Sequence, residues 1–285
     1  MKIRYYFEHW GLCVFHGLCR CLPRHTASSL FGKIAQIIAP RMGMNRKALR
    51  HVTAALGAEN AEKITQGMWD NLGRTMAEFP HLKTIVEKDV TFKGGEHIER
   101  LRDDGQCGIL FGAHLGNWEV IPHALLHHFN LPTHPVYRPP NNPMVDKRLH
   151  KYRAPDGQIT PYPKSRAGMV GMVKSLKKGE HVGLLIDQKY NEGVEAPFFG
   201  MTARTAVAFI EMAQKFDCPL VPLRCIRDGK KFILEACAPI PTKDRAMIDI
   251  LHDAHALLED WIREYPEQWL WLHRRWREED LKDVS

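Results

Sequence analysis

Short apolar runs alternate with helical segments from residue 107 onward, and this alternation constrains the fold more than any other feature of the sequence. Three strand-like runs are each followed by a helical segment: CGILFG by WEVIPHALLHHF, THPVYR by NPMVDKRLHKYR, and HVGLLID by TAVAFIEMAQKF. This order is typical of a parallel sheet, because each helix carries the chain back across one face. The sequence therefore predicts an α/β fold with a central sheet flanked by helices.

Two later apolar runs, LVPLRCI and KFILEACA, follow each other without an intervening helix. The segment RDGK separates them, and its Asp-Gly step is typical of a β-hairpin. A hairpin adds an antiparallel pair to the sheet. We therefore predict a mixed, mainly parallel sheet.

Apolar residues also recur at helical spacing before and after the sheet region. The segments with this spacing are 3–21, 26–40, 45–57, 60–79 and, near the end, roughly 244–264. No Gly/Ser-rich linker, internal repeat or low-complexity run divides the sequence. We expect residues 1–285 to form a single domain with a helical N-terminal portion.

The first 22 residues are rich in apolar and aromatic side chains but are interrupted by charges. Their longest stretch without Arg, Lys, Asp or Glu runs from His9 to Cys19, whereas a membrane-spanning helix needs about 20 apolar residues. No small-residue cleavage site is recognisable, so we do not expect a signal peptide. Basic ends with aromatic residues between them predict a helix over 1–22 that lies in a membrane interface. Packing on the protein's own core is the alternative.

The formal charge of +7 favours an anionic partner, such as a nucleic acid, an anionic membrane, a phosphorylated substrate or an acidic carrier protein. The apolar fraction of 44% is enough for a sizeable core. Seven cysteines occur at irregular spacing without a C-x-x-C pair, so a disulfide framework is not expected. A reducing compartment fits this cysteine usage better.

The stretch FGAHLGNWEV, residues 111–120, lies where a predicted strand meets a predicted helix. His114 ends the strand, a bend at Gly116 brings Glu119 within its reach, and Asn117 is a good N-cap. A histidine held by a carboxylate can remove a proton from a hydroxyl. No G-x-S-x-G motif supplies a nucleophile, so the hydroxyl is expected to belong to the substrate. Because H-x-x-x-x-E also arises by chance, an ordinary strand-to-helix turn is the alternative.

Four blocks together resemble the bacterial lipid A late acyltransferases, the lauroyl/myristoyl transferases of the lysophospholipid acyltransferase superfamily. The blocks are HLGNWE, VYRPPNNP, LLIDQKYNEGVEAPFFGMTARTA and PEQWLWLHRRW, and an upstream NLGRTMAEF resembles the family's N-terminal region. They follow the family's order and cover about residues 70–276. Family members usually begin with a membrane-spanning helix, and this chain departs from that pattern in its shorter, charged N-terminal segment.

The resemblance implies an enzyme that moves an acyl chain from acyl carrier protein to a hydroxyl of a lipid A precursor, on the cytoplasmic face of the inner membrane. By position, His114 is the base, Glu119 orients it, and Arg138 binds a phosphate of the acceptor or of the donor's phosphopantetheine. A thioester is already activated, so neither a metal nor another cofactor is expected. Backbone N–H groups of Gly116 and Asn117 are candidate donors to the oxyanion.

Other residues of these blocks are candidates for substrate binding. Asn142 and Gln188 lie in matching blocks, and Asp187 either caps a turn or faces the site. Phe198 and Phe199 either line a slot for the acyl chain or pack in the core. The mixture of Trp, His and Arg in WLWLHRRWREED favours anionic lipid or internal packing over nucleic acid.

Three other functions remain open from the sequence. A glycerolipid or lysophospholipid acyltransferase uses related blocks, although Asp is usual there where Glu119 stands. A non-catalytic peripheral lipid-binding protein on the same scaffold would not need His114 and Glu119. A zinc hydrolase fits less well, because no complete set of metal ligands is recognisable. Acyl carrier protein and coenzyme A are both possible acyl donors.

Overall fold

The computed structural model describes residues 2–281, so residue 1 and residues 282–285 of the predicted domain lie outside the described residues. The chain begins with four helices, close to the four predicted segments: α1 Ile3–Cys21, α2 Arg24–Ile38, α3 Gly43–Leu56 and α4 Ala61–Glu78. Between residues 2 and 281, no helix is long and apolar enough to cross a membrane.

The strands of the described chain fall into a large sheet and a separate hairpin. Those of the large sheet are β1 Val90–Lys93, β2 Gly108–Gly112, β3 Thr133–Tyr137, β4 Tyr162–Pro163, β5 His181–Leu185, β8 Leu220–Asp228 and β9 Lys231–Ala236, and those of the hairpin are β6 Val194–Phe198 and β7 Met201–Thr205. The remaining helices are α5 Leu82–Asp89, α6 Gly95–Asp103, α7 Val120–Phe129, α8 Pro143–Arg153, α9 Arg166–Lys177, α10 Ala208–Phe216 and α11 Met247–Glu264.

The large sheet has the order β1-β9-β8-β2-β5-β3-β4. Its strands pair in parallel except for β8 and β9, which form the antiparallel hairpin predicted from RDGK. The predicted α/β fold with a mixed, mainly parallel sheet and a helical N-terminal portion is therefore confirmed.

Strand β2 lies at the centre of the sheet, and all five of its residues are buried. Alternate side chains of a strand point to opposite faces. Ile109 and Phe111 accordingly join a core cluster that contains the C-terminal tryptophans, whereas Leu110 joins a second cluster with residues of α5, α6 and α7. Trp269 and Trp271 are 2% and 0% exposed, so these residues of WLWLHRRW serve internal packing.

The hairpin of β6 and β7 was not predicted, because this stretch reads as a loop leading into a helix. Its turn residues Phe199 and Gly200 have φ values of 52° and 69°. Two-residue hairpin turns with two positive φ values usually carry Asn-Gly or Asp-Gly, so Phe-Gly gave no recognisable signal. The backbone N–H of Phe199 donates to Oε1 of Glu259 at 2.7 Å, which helps to hold this uncommon conformation.

Candidate active site

The centre of the site is formed by two side chains that follow neighbouring parallel strands. Gly112 of β2 pairs with Leu185 of β5, and the ladder continues with a 3.0 Å hydrogen bond from Ile186 N–H to the Gly112 carbonyl. This register places His114 beside Asp187, each two residues beyond its paired strand end. Carboxyl ends of central strands are where α/β proteins usually bind their ligands.

Asp187 accepts three hydrogen bonds. Nδ1 of His114 lies 2.8 Å from Oδ1, the His114 backbone N–H donates to Oδ2 at 2.9 Å, and the Trp269 indole N–H donates to Oδ2 at 2.7 Å. The carboxylate is 1% exposed, whereas the imidazole is 15% exposed. The Nδ1 side of the ring is therefore fixed by a buried carboxylate, while the ring as a whole is partly exposed.

Asp187 is held in its ionised form. Burial alone would raise the pKa of this carboxyl, but the His114 ring and the hydrogen bonds outweigh burial and keep the pKa well below its usual range. An ionised carboxylate can only accept hydrogen bonds, so Nδ1 of His114 carries the proton. The other ring nitrogen, Nε2, then carries the lone pair, which is what a general base requires.

Glu119 does not hold His114, because Asp187 occupies the position predicted for it. Its carboxylate instead pairs with the Arg153 guanidinium, at 2.8 Å between Oε2 and Nε and at 2.5 Å between Oε1 and Nη2. The reason is the bend at Gly116, where φ is 58°. The chain there passes so close to β8 that a Cβ would lie 2.1 Å from the Cys225 carbonyl oxygen.

The helix after this turn also begins later than predicted. Helix α7 starts at Val120, so Asn117 is not its N-cap and Glu119 precedes its first turn. The Asn117 side chain instead accepts a hydrogen bond from the Glu119 backbone N–H at 3.2 Å, as in an Asx turn. This local turn carries the Glu119 side chain towards α8.

The two predicted oxyanion donors are already engaged. Gly116 N–H donates to the Gln268 carbonyl at 3.1 Å, and Asn117 is 0% exposed, with its backbone amide against the Cys225 thiol. Both groups point into the protein, because the turn packs against β8 and the segment before Trp269. The structure therefore argues against the prediction that Gly116 and Asn117 are oxyanion donors.

A buried polar network packs against the turn and supports it, and no separate sequence signal predicted this network. Glu78 is 3% exposed and accepts hydrogen bonds from the Asn117 side chain at 2.8 Å and from Ser28 at 2.7 Å. The guanidinium of Arg227 donates to both carboxylate oxygens of Glu78 and, at 2.9 Å, to Asn71. Glu78 and Asn71 belong to NLGRTMAEF, so this block supports the site without entering it.

On the Nε2 side of His114, the Gln188 amide nitrogen lies 3.1 Å from Nε2 of His114 and 2.8 Å from Nε2 of His273. Burial lowers the pKa of His273 to about 4, with contributions from His114 and from the nearby charges of Arg138 and Lys47, so this imidazole is neutral at pH 7. His273 was not predicted as a site residue. Its position in the WLWLHRRW block was the available signal.

The two predicted substrate-binding residues of the VYRPPNNP block have different surroundings. Arg138 is exposed just beyond β3. Burial lowers the pKa values of Lys164 and His273, and the charge of Arg138 lowers them further. Arg138 therefore lies near the site. Asn142 is buried and caps α8, accepting the backbone N–H of Met144 at 3.0 Å. Its amide nitrogen donates to Glu8 and to the Tyr5 carbonyl of α1, which leaves a structural role.

Phe198 and Phe199 are 0% and 4% exposed. The Phe198 ring packs against those of Trp269 and Trp276, with centroids 6.1 and 5.8 Å apart. Of the two predicted roles, the structure places both phenylalanines in the core. Among residues 2–281, no group of three or more His, Cys, Asp or Glu side chains is arranged to hold a metal ion.

Buried neutral histidines make stability dependent on pH. Burial lowers the pKa of His51 and His273 to about 4 and that of His255 to about 3. The unfolded chain binds these protons at about pH 6.5, so we expect stability to fall as pH drops from about 6.5 to about 4, by at most about 1.4 kcal/mol per pH unit per histidine. Melting temperatures across this range test it. His51→Asn should make the melting temperature depend less steeply on pH, whereas the same substitution at the exposed His127 should not change this dependence.

Comparisons with known proteins find similarity over most of the chain. The family model described as bacterial lipid A biosynthesis acyltransferase matches residues 1–278. A lipid A biosynthesis lauroyltransferase of Escherichia coli (strain K12) is 30% identical over 193 residues, which cover 65% of this chain and 60% of that relative. A lipid A biosynthesis palmitoleoyltransferase of the same strain is 24% identical over 303 residues, which cover 99% of this chain and 94% of that relative.

Proposed function

We propose a specific reaction for this chain, which belongs to the bacterial lipid A biosynthesis acyltransferase family and is therefore a transferase of acyl groups. In this proposal, residues 1–285 act as one domain that moves a fatty acyl chain from acyl carrier protein to a hydroxyl of a lipid A precursor. The observation that carries the proposal is the pair of His114 and Asp187 at the carboxyl ends of β2 and β5, with Nδ1 of His114 bonded to Asp187 and Nε2 on the other side of the ring.

The reaction needs one base and no covalent enzyme intermediate. Nε2 of His114 takes the proton of the acceptor hydroxyl while the hydroxyl oxygen attacks the thioester carbonyl carbon. The carbon–sulfur bond of the resulting tetrahedral intermediate then breaks, and the imidazolium returns its proton to the leaving thiolate. Asp187 keeps the Nδ1 tautomer in the resting state and stabilises the imidazolium during the reaction.

Glu119 acts indirectly in this scheme. Its carboxylate and the Arg153 guanidinium are both largely buried, at 9% and 16% exposure. Arg153 also lies 5.2 Å from the centre of the Tyr137 ring, so the pair joins the turn after β2 to α8 and the end of β3. We assign to Glu119 the role of holding together these segments, which form the wall of the site, and to Asp187 the role of orienting the base.

Positive charge beside the base suits anionic substrates. The charges of Arg138 and Lys47 lie near enough to lower the pKa of His273, and Arg138 in turn lowers the pKa of Lys164 beside it. Arg138 is exposed to an incoming ligand. A phosphate of the acceptor or of the donor's phosphopantetheine would gain from these charges. The net charge of +7 also favours encounter with an acidic carrier protein.

Helix α1 offers an apolar face for a membrane surface. Its exposed large side chains recur every three or four residues and include Ile3, Tyr6, Phe7, Trp10, Val14 and Leu18. His16 and Cys19, on the opposite side, are buried against the protein. We propose that α1 lies in the interface of the inner membrane, on its cytoplasmic face, with Phe7 and Trp10 among the apolar groups.

This attachment predicts that Phe7→Glu and Trp10→Glu each weaken binding to anionic phospholipid vesicles at least about tenfold. Burying such a side chain contributes about 1.5–3 kcal/mol, and 1.4 kcal/mol corresponds to a factor of ten. Sedimentation with vesicles measures the effect. Val170→Glu is the matched control, since Val170 is an exposed apolar residue of α9. Equal binding by all variants would remove α1 from the membrane contact.

The proposed reaction is tested with purified protein, a panel of acyl donors and a panel of acceptors, with products identified by mass spectrometry. Acyl carrier protein and coenzyme A thioesters are compared as donors, and lipid A precursors, lysophospholipids and glycerol phosphate as acceptors. We expect transfer to the lipid A precursor from the carrier protein. Transfer only to glycerolipid acceptors would replace the proposed substrate class, and no transfer to any acceptor would reject the function.

A further inference from the structure

The oxyanion of the tetrahedral intermediate needs hydrogen-bond donors beside the base. Gly116 N–H donates to Gln268, and Asn117 is 0% exposed, with its backbone amide against the Cys225 thiol. In the described part of the chain, the side-chain donor within hydrogen-bonding distance of Nε2 of His114 is the amide of Gln188, at 3.1 Å. The hydroxyl of the acceptor has to reach the same nitrogen, so Gln188 stands where the reaction occurs.

The orientation of this amide follows from its neighbours. Asp187 is bonded to Nδ1 of His114, so Nε2 carries a lone pair and needs a donor. If the Gln188 amide were flipped, its oxygen would face that lone pair and neither group would gain a hydrogen bond. The NH₂ group therefore faces His114, and its second hydrogen donates to Nε2 of His273 at 2.8 Å.

We propose that Gln188 is a catalytic residue that donates a hydrogen bond to the oxyanion, and that His273 is a positioning residue that holds the Gln188 amide. The inference rests on the proposed acyl transfer. When the acceptor hydroxyl binds to Nε2 of His114, it displaces one N–H of Gln188. The carbonyl carbon under attack is next to that hydroxyl oxygen, so the carbonyl oxygen lies within reach of the released N–H.

Electrons and protons balance in this step. The oxygen–carbon bond forms, the carbonyl π electrons move to the oxygen that Gln188 stabilises, and the hydroxyl proton goes to His114. When the carbonyl re-forms, the carbon–sulfur bond breaks and the thiolate takes the proton. The N–H of Gln188 that had moved to the oxyanion can then return to His114 in the resting state.

His273 is itself fixed by the fold, which is what a positioning residue needs. It follows the short β-bridge between Trp269 and Leu115, and the ring of His51 on α3 approaches its backbone closely enough for that backbone to affect the His51 pKa. Its ring centroid lies 5.1 Å from that of His114. The C-terminal segment and α3 thus hold one N–H of Gln188, while the other N–H faces the base and the substrate.

Gln188→Ala should lower kcat by about 10²–10³-fold with little change in KM, since the lost hydrogen bond forms in the transition state. Gln188→Glu keeps the size of the side chain but replaces a donor by an acceptor, and it should lose at least as much. His273→Ala should lose less, because Gln188 remains. Gln214→Ala is the matched control: that amide also donates two hydrogen bonds, to the carbonyls of Thr242 and Arg245, outside the site.

Circular dichroism and melting temperatures of the same preparations separate folding from chemistry. Nitrogen NMR of the imidazoles adds a measurement that a purely structural role of Gln188 would leave unchanged. In a folded Gln188→Ala protein, the Nε2 chemical shifts of His114 and His273 should show that each nitrogen has lost an accepted hydrogen bond. Wild-type kcat in that variant, or a loss confined to KM, would overturn the role of Gln188. An inactive wild-type protein would instead overturn the proposed function.

Discussion

The His114→Ala variant is expected to fold like the wild type and to lose acyl transfer by about 10²–10⁴-fold, the usual contribution of a general base. Folding is expected to survive because Asp187 keeps two of its hydrogen-bond donors, the backbone N–H of residue 114 and the Trp269 indole. The loss should appear in kcat, since the proton moves only in the chemical step. Steady-state kinetics with the preferred donor and acceptor, beside a thermal melt, measure both.

A second substitution at His114 separates the loss of the base from the disturbance of Asp187. In His114→Asn, the side-chain amide can still donate to Asp187 from about the position of Nδ1, but nothing replaces Nε2. This variant should be as inactive as His114→Ala and more stable than it. His127→Ala, at an exposed histidine of α7, is the control and should keep full activity. Wild-type turnover by either His114 variant would remove the base from the mechanism.

The fold was largely predictable because it depends on local patterns. Apolar runs of strand length and segments of helical spacing gave the α/β class, the four N-terminal helices and the hairpin at Asp228. The separate hairpin at Phe199 was missed, because an aromatic residue with positive φ is stabilised by tertiary contacts such as that with Glu259 and not by its local sequence. Local rules cannot supply that information.

The site was only partly predictable for the same reason. His114 was found from its place at a strand end, but its partner depends on the register between β2 and β5, which are far apart in the sequence. For Asp187 the sequence predicted either a turn cap or a residue facing the site. Glu119 was predicted as the partner of His114 because it is close to it in the sequence. His273 comes from a third region of the chain. Long-range register and packing, which a single sequence does not display, decide which of these side chains meet.

Asp187→Asn is expected to lose about 10²–10⁴-fold in kcat, although the new side chain has almost the same shape. Two N–H donors, from the His114 backbone and the Trp269 indole, face Oδ2 of Asp187. In the variant, the amide oxygen will face these two donors, which leaves the NH₂ group towards Nδ1 of His114. Nδ1 must then accept, so the ring proton moves to Nε2 and the base is blocked by its own tautomer.

Glu119→Gln should behave differently, because Glu119 contacts Arg153 and not His114. The variant keeps one oxygen that can accept from Arg153 but loses the charge of a largely buried pair. Its main effect should be a lower melting temperature, with kcat reduced by less than about tenfold, since breaking a buried ion pair affects chiefly stability. The two variants therefore separate the carboxylate that orients the base from the one that supports the wall.

Kinetics, melting temperature and nitrogen NMR of the histidine rings should be measured on the same preparations of both variants. The expected pattern is a folded Asp187→Asn protein with its ring proton on Nε2 of His114, and a less stable Glu119→Gln protein with the proton still on Nδ1. An active Asp187→Asn protein beside an inactive but stable Glu119→Gln protein would reverse the assignment. The orienting carboxylate would then be Glu119, and the contact of His114 with Asp187 would be structural only.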